Sequence, residues 1–206
     1  AALLKRMAQM LGVEADMRPF YVYARQDAVL WPLVEPLYGL KHVRSASLFE
    51  ALMVAVIEQQ IALNLAQRGE RWLLAWAGNQ IEYNGETFYT FPKPERIAAA
   101  SVEDLLPLKI TRIRMEVMRS VAQQIVDGVV NFERLHSVDE AMRTLTQLKG
   151  IGQWTAAWAV IRALGEYPYI GENDVALQAA INHYYFGQKG RVSTKVVRQT
   201  MMPYGE

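Results

Sequence analysis

The pattern of apolar and polar positions predicts a mainly α-helical protein. Along most of the 206 residues, apolar side chains recur every three or four positions, the period of a helix with one buried face. About ten segments have this pattern. Capping boxes begin two of them, because Ser47 is followed by Glu50 and Ser137 by Glu140, a spacing that satisfies the first N–H groups of a helix.

Two segments depart from the helical pattern. Phe20–Tyr23 consists of aromatic and β-branched residues, which indicates a possible strand. Between Gln80 and Thr90, large apolar residues surround Asn84-Gly85, the pair that favours a type I′ turn. A small β-hairpin or an ordered loop is therefore predicted near residues 80–90.

Two of the predicted helices have a capping residue at their start. The helix that begins at Ser47 continues toward Ala66 and includes the segment Glu58-Gln59-Gln60-Ile61. A second, long helix is predicted over Arg112–Asp127 and is capped by Thr111. The start of this helix is basic and carries Lys109, Arg112, Arg114 and Arg119.

Residues Leu148–Thr155 form a glycine-containing turn between two helical patterns. Gly150 and Gly152 flank Ile151, and glycines reach positive φ without a Cβ clash. The helix that begins near Gln153 adds unpaired N–H groups and the positive end of its dipole. Such a turn fits a phosphate oxygen. The alternative is a tight helix–helix turn that binds nothing.

The composition limits the chemistry that the chain can perform. Its apolar fraction of 51% excludes a disordered chain, and its net charge of +1 requires any nucleic-acid contact to be local. The sequence has no run of 18 apolar residues, so no membrane span is predicted. Residues 1–11 do not resemble a signal peptide. Cysteine is absent, which excludes disulfides and cysteine-ligated iron–sulfur clusters. The histidines have no metal-ligand spacing: His42, His136 and His183.

The longer context of the turn resembles the helix-hairpin-helix DNA glycosylase superfamily. Leu-x-Gly-Ile-Gly-x-Trp-Thr-Ala begins at Leu148, and Asp174 follows 22 positions after Gly152. With the Glu58–Ile61 segment, these residues are most similar to the 3-methyladenine DNA glycosylase II branch. The resemblance covers roughly residues 27–187.

This resemblance implies a fold of two helical lobes. Residues 27–206 would form the glycosylase domain, with the hairpin motif at about residues 138–164. Residues 1–26 would be the remnant of an N-terminal lobe or an extension.

The resemblance also implies an activity. It is the hydrolysis of the N-glycosidic bond of alkylated purines that are flipped out of duplex DNA. Asp174 corresponds to the catalytic aspartate, whose ionised carboxylate stabilises an oxocarbenium-like sugar or orients a water. Asp174 also fits a helix N-cap, and the two roles are compatible.

Trp154, Trp158 and Gln59 are the predicted substrate pocket. The two tryptophans lie one helical turn apart, where they either stack on an electron-poor alkylated purine or pack in the core. In relatives that also cleave the strand, the Schiff-base lysine stands two residues after the second hairpin glycine. Trp154 occupies that place, so no lyase activity is expected. For Gln59 the alternative is a solvated helix face.

Gln60, Gly150, Gly152 and Thr155 are the predicted DNA-binding residues. Gln60 stands where close relatives have an apolar wedge that fills the gap left by the flipped nucleotide, so it departs from the family pattern. The Thr155 hydroxyl either donates to a phosphate or bonds to its own backbone. The backbone carbonyls of Thr146, Leu148 and Gly150 correspond to a site for a sodium or potassium ion, and no other cofactor is expected.

The expected partner is double-stranded DNA that contains damaged bases, bound by a monomer away from membranes. The expected location is the bacterial cytoplasm, on the nucleoid, or the nucleus of a eukaryote. Lesion specificity stays open among 3-methyladenine, 7-methylguanine, hypoxanthine and ethenoadenine. The main alternative is a non-catalytic helix-hairpin-helix module that only binds DNA, and a third is a structural all-α domain.

Overall fold

The computed structural model describes residues 2–135, 137–167 and 171–204. These residues contain eleven α-helices and one two-stranded sheet, which confirms the mainly α prediction. Among them, no helix has the length and apolar character needed to cross a lipid bilayer. The prediction for His136 lies outside the described residues.

The elements follow one another in a simple order. The helices are α1 (Ala2–Met10), α2 (Arg18–Ala24), α3 (Trp31–Val34), α4 (Leu48–Glu58), α5 (Leu63–Ala77), α6 (Pro94–Ala98), α7 (Arg112–Val126), α8 (Val138–Gln147), α9 (Gln153–Leu164), α10 (Val175–Phe186) and α11 (Thr194–Met201). The strands β1 (Gln80–Tyr83) and β2 (Glu86–Tyr89) lie between α5 and α6. Short 3₁₀ helices are Glu35–Leu37, Leu106–Leu108, Phe132–Arg134 and Met202–Tyr204.

The chain divides into two compact units, each described here by itself. One consists of residues 45–168, and the other combines residues 1–44 with residues 169–206. The sequence predicts a different boundary, between residues 26 and 27, which separates an N-terminal remnant from a glycosylase domain. That boundary rests on family resemblance, and it stays a prediction.

Helix α4 is the centre of unit 45–168. The Ser47 hydroxyl accepts the N–H of Glu50 at 3.1 Å, so the predicted capping box begins this helix. Nearly every side chain of α4 is buried, as expected for a helix that is apolar on all sides. It packs mainly against α9, and the core around it includes side chains from α5, α7 and α8.

The predicted continuation of this helix toward Ala66 is wrong. α4 ends at Glu58, Gln60 adopts φ +50°, and α5 begins only at Leu63. α5 buries a stripe at helical spacing: Ala66, Gly69, Leu73 and Ala77. Burial of this stripe requires α5 to run in a different direction from α4. Tertiary packing therefore breaks a periodic pattern that has no glycine or proline to mark the turn.

The predicted strand at Phe20–Tyr23 is also wrong, because these residues lie in α2. Pro19 stands in the first turn, where its fixed φ favours a helix. Tyr21 and Ala24, three positions apart, are buried on one helical face. The Tyr21 hydroxyl accepts the N–H of Gly39 at 2.8 Å.

The β-hairpin near residues 80–90 is confirmed. β1 and β2 pair antiparallel with Ile81 opposite Phe88. Asn84 has φ +50° and Gly85 has φ +78°, the two positive values that a type I′ turn requires. Every strand residue is exposed.

In the other unit, Asp27 connects three segments of the chain. Its Oδ1 accepts the N–H groups of Val29 and Leu30 at 2.7 and 2.9 Å, so it caps the turn before α3. Its Oδ2 accepts the hydroxyls of Tyr185, at 2.9 Å, and of Tyr204. Desolvation raises the pKa of Asp27, but these donors outweigh it and the pKa is lowered overall. Desolvation and the carboxylate raise the pKa of Tyr185 to about 12. This network fixes α10 against the N-terminal segment of the same unit.

Candidate active site and nucleic-acid interface

The turn between α8 and α9 requires glycine at Gly150 for two reasons. Its φ is +87°, which a residue with a side chain rarely adopts. A Cβ built there would also lie 2.4 Å from Val117 Cγ2. Gly150 therefore brings the hairpin backbone against α7.

Gly152 has a different role from the one that the sequence predicts. Its φ is −87°, so the prediction that both glycines reach positive φ is wrong for this residue. It is the N-cap of α9 and offers no side-chain hydrogen bond. A Cβ added there would meet nothing within 4 Å. The missing side chain thus leaves open space in front of the positive end of α9, where first-turn N–H groups have no partner inside the helix.

Gln59 and Thr155 form a direct contact between α4 and α9. Thr155 is only 4% exposed, and its Oγ1 accepts a hydrogen bond from Gln59 Nε2 at 2.8 Å. Gln59, the residue that ends α4, is therefore tied to the first turn after the hairpin. The predicted phosphate contact of Thr155 stays a prediction, because in this structure its hydroxyl binds Gln59.

Trp154 and Trp158 lie edge to face on α9, with ring centroids 5.9 Å apart. Both are half-buried, which suits either a packed pair or a pocket wall. The guanidinium of Arg162 lies 5.3 Å from the centroid of the Trp158 ring. One face of Trp158 is therefore covered by a cation of the protein itself.

A partly buried charge cluster holds Arg162 in this position. Arg162 Nη2 pairs with Glu58 Oε2 at 2.6 Å, and both side chains are largely shielded from solvent. Burial raises the pKa of nearby Glu70, and the Glu58 carboxylate raises it further, while Arg162 and Arg71 act in the opposite direction. The pair fixes the end of α4 against α9. The sequence pattern did not indicate it, since the two residues are far apart in the chain.

Gln60 is exposed and contacts α7. Arg114 Nη2 donates to Gln60 Oε1 at 3.4 Å, a long hydrogen bond. From the sequence, Arg114 was one of several basic residues at the start of α7. The structure places it beside Gln60, one of the predicted DNA-binding residues.

Asp174 is the N-cap of α10, as predicted. Its Oδ1 accepts the N–H groups of Ala176 and Leu177 at 2.8 and 2.9 Å. Its own N–H donates to the Gly171 carbonyl at 2.8 Å. The carboxylate is half-buried and held at a fixed position by these bonds.

Two further side chains fix the loop that precedes Asp174. Gln178 Nε2 donates to the Glu172 carbonyl at 2.9 Å. Arg198 binds the Glu172 carboxylate through Nε and Nη2, at 2.7 and 2.5 Å. The hydrogen bond from Arg198 lowers the pKa of Glu172. Gln178 thus contributes to the geometry of this loop.

The hairpin carbonyls have chemistry that suits a cation. Thr146 lies in the last turn of α8, at the negative end of the helix dipole, where carbonyls have no partner inside the helix. The Leu148 carbonyl accepts the N–H of Ile151 at 3.0 Å and retains a second lone pair. Among the described residues, no group of three or more His, Cys, Asp or Glu side chains could hold a metal ion.

The structure gathers most predicted site residues in one unit. The hairpin glycines, Thr155, the two tryptophans, Gln59 and Gln60 all lie within residues 45–168. Asp174 belongs to the other unit, at the start of α10.

Comparison with known proteins supports the class that the hairpin and the fold define. A scan of protein-family models matched none of them. A 3-methyladenine DNA glycosylase from Archaeoglobus fulgidus superimposes with a TM-score of 0.83 at 29% identity, covering 98% of this chain and 68% of that one. The fold is that of the helix-hairpin-helix DNA glycosylases.

Sequence relatives identify the branch. The DNA-3-methyladenine glycosylase of Bacillus subtilis is 32% identical over 164 residues, covering 79% of this chain and 54% of the relative. DNA-3-methyladenine glycosylase 2 of Escherichia coli is 27% identical over 124 residues, covering 60% and 44%. The chain is thus a homologue of the DNA-3-methyladenine glycosylases. It spans about half the length of these two relatives.

Proposed function

We propose that this chain is a DNA glycosylase that hydrolyses the N-glycosidic bond of alkylated purines flipped out of duplex DNA. The observation that carries the proposal is Asp174, an aspartate held as the cap of α10 in a homologue of 3-methyladenine DNA glycosylases. The partner is double-stranded DNA that contains damaged bases.

DNA binding is assigned to backbone groups of the hairpin. The open space at Gly152 lets a phosphate oxygen approach the first N–H groups of α9. Contacts of this kind position a protein on DNA without reading its sequence. This suits an enzyme that must find a lesion in any sequence.

The flipped base is assigned to the surface formed by Trp154, Trp158 and Gln59. Flipping exposes the bond to be cleaved and costs least for a damaged or mispaired base. An indole face stabilises an electron-poor purine through its quadrupole. Because Arg162 covers one face of Trp158, Trp154 is the better candidate for direct stacking.

The chemical step is a hydrolysis at the sugar. The bond between C1′ and the purine nitrogen breaks, and its electron pair leaves with the base. Positive charge develops on the sugar, where the Asp174 carboxylate stabilises it. The oxygen of a water molecule then bonds to C1′, and the proton that this water loses passes to the solvent. An N-alkylated cationic purine leaves as a neutral base, so it needs no further proton.

A sodium or potassium ion fits the hairpin as a binding element. The carbonyls of Thr146, Leu148 and Gly150 would hold it, and its positive charge would attract a DNA phosphate. These groups contribute to binding rather than to the chemical step.

The direct test is base release from a panel of lesion-containing duplexes. Each duplex carries one of 3-methyladenine, 7-methylguanine, hypoxanthine or ethenoadenine, and an undamaged duplex serves as the control. We expect release of at least one alkylated purine under single-turnover conditions. DNA binding without release of any base would favour the non-catalytic helix-hairpin-helix module.

A second prediction concerns strand cleavage. Trp154 occupies the place of the Schiff-base lysine, so we expect the enzyme to be monofunctional and to use water as its nucleophile. Borohydride added during reaction with lesion DNA should trap no covalent protein–DNA adduct. Peptide mapping that found an adduct on any lysine would show lyase chemistry instead.

The proposed site needs no second copy of the chain, so we propose that the protein acts as a monomer. Its substrate places it with the chromosome, on the nucleoid in the cytoplasm of a bacterium or in the nucleus of a eukaryote.

A further inference from the structure

Two arginines in the first turn of α7 have contrasting surroundings. Arg112 Nη1 forms an exposed salt bridge with Glu103 at 3.0 Å. Arg114 forms no salt bridge with any carboxylate in residues 2–135, 137–167 and 171–204. Its Nη1 is buried and has no hydrogen-bond partner within the same residues, as is also true of one nitrogen each in Arg44, Arg119 and Arg162. Its Nη2 makes the long hydrogen bond to Gln60.

The position of Arg114 is costly for the folded protein. Desolvation lowers the pKa of its guanidinium, and no neighbouring charge offsets that effect. A buried N–H group without an acceptor forgoes the hydrogen bond that water would provide. Residues at functional sites often lower the stability of the folded protein. Binding of an anion to Arg114 during function would therefore explain its position.

The location indicates which anion. Arg114 contacts Gln60, which lies in the turn between α4 and α5. One helical turn further along α7, Val117 lies against Gly150 of the hairpin. The same helix therefore contacts the hairpin, to which DNA binding is assigned, and Gln60, for which the sequence predicts it.

We propose that Arg114 binds a phosphate of the DNA backbone beside the Gln60 turn, and that its contact with Gln60 is exchanged for that phosphate. This inference rests on the proposed function. A phosphate oxygen that replaced Gln60 Oε1 would accept a charge-assisted hydrogen bond from Nη2 and would pair the charge of the guanidinium. Release of Gln60 at the same time frees this side chain to enter the duplex.

The test is the salt dependence of binding to an undamaged duplex, so that base excision plays no part. The variants are Arg114→Met, which keeps the aliphatic stem, and Arg114→Lys, which keeps the charge. Arg112→Met is the matched control, with the same substitution two positions away on the same helix.

We expect Arg114→Met to weaken binding roughly tenfold at low salt, as for a lost hydrogen bond to a charged group. The slope of log affinity against log salt should become shallower by about 0.9, the value for one phosphate contact on duplex DNA. Arg114→Lys should keep the wild-type slope, and Arg112→Met should keep both affinity and slope. Arg114→Met should unfold at the same temperature as the wild type or a higher one.

Several results would overturn the inference. Equal losses in Arg114→Met and Arg112→Met would indicate diffuse attraction by a basic helix. A loss with an unchanged slope, matched by Gln60→Ala, would show that Arg114 only positions Gln60. A markedly lower unfolding temperature for Arg114→Met would show that the charge stabilises the fold. A wild-type chain that binds no DNA would contradict the proposed function as well, whereas the other results leave it intact.

Discussion

Asp174→Asn should reduce base excision by at least two orders of magnitude while leaving the fold and DNA binding intact. The amide is nearly isosteric with the carboxylate, and its oxygen can still accept the N–H groups of Ala176 and Leu177. The negative charge is lost. Removing one group that stabilises developing charge typically costs about 10²–10³ in rate. An alkylated base is already a good leaving group, so the low end of this range is expected.

The measurement is single-turnover excision of an alkylated purine, with circular dichroism as the folding control. Asp139→Asn is a matched control, because Asp139 is an exposed carboxylate in the first turn of α8. This variant should keep the wild-type rate. If Asp174→Asn retains more than about a third of the wild-type rate, Asp174 acts only as a helix cap.

Local hydrogen bonding explains which parts of the structure could be predicted from the sequence. Ser47, Thr111, Ser137 and Asp174 were each predicted to cap a helix, and each accepts an N–H from the first turn of its helix. The turn at Asn84-Gly85 is equally local, since it connects Tyr83 to Glu86, which pair across the hairpin. In all these cases the donor and the acceptor lie within three residues of one another, so a short stretch of sequence contains the whole interaction.

The errors arise where packing between distant segments decides. Phe20–Tyr23 has strand-forming residues, but burial of Tyr21 and Ala24 on one face favours a helix. The turn at Gln60 has no glycine to mark it, and the residue accepts a left-handed φ that costs about 1–2 kcal/mol. The gain is that α4 and α5 each bury an apolar face.

The site shows the same division. The sequence predicted the hairpin, the tryptophans and Asp174 because they belong to a pattern of residues that resembles the glycosylase superfamily. It could not indicate that Glu58 pairs with Arg162 or that Arg114 contacts Gln60, since the partners come from different helices. These contacts change the interpretation, because Arg162 covers one face of Trp158 and Arg114 lies beside Gln60.

The hairpin glycines differ in what they tolerate, so the same substitution should have different effects at the two positions. Gly150→Val forces a β-branched residue into φ +87° and brings its side chain against Val117. Overpacking of this kind costs about 1–3 kcal/mol, in addition to the backbone strain. We therefore expect a clearly lower unfolding temperature and, with the turn displaced, weaker DNA binding.

Gly152→Val should instead weaken DNA binding with little loss of stability. The φ of −87° and ψ of 173° suit a β-branched residue, and its Cβ meets no protein atom. Valine is a poorer N-cap, so the free energy of unfolding should fall by no more than about 1 kcal/mol. The side chain nevertheless fills the space through which a phosphate approaches the first turn of α9. Fluorescence anisotropy with duplexes of unrelated sequence should show a similar loss of affinity, about tenfold, on each, because the contact reads no bases. A folded Gly152→Val chain that binds DNA as tightly as the wild type would remove the N-terminus of α9 from the binding site.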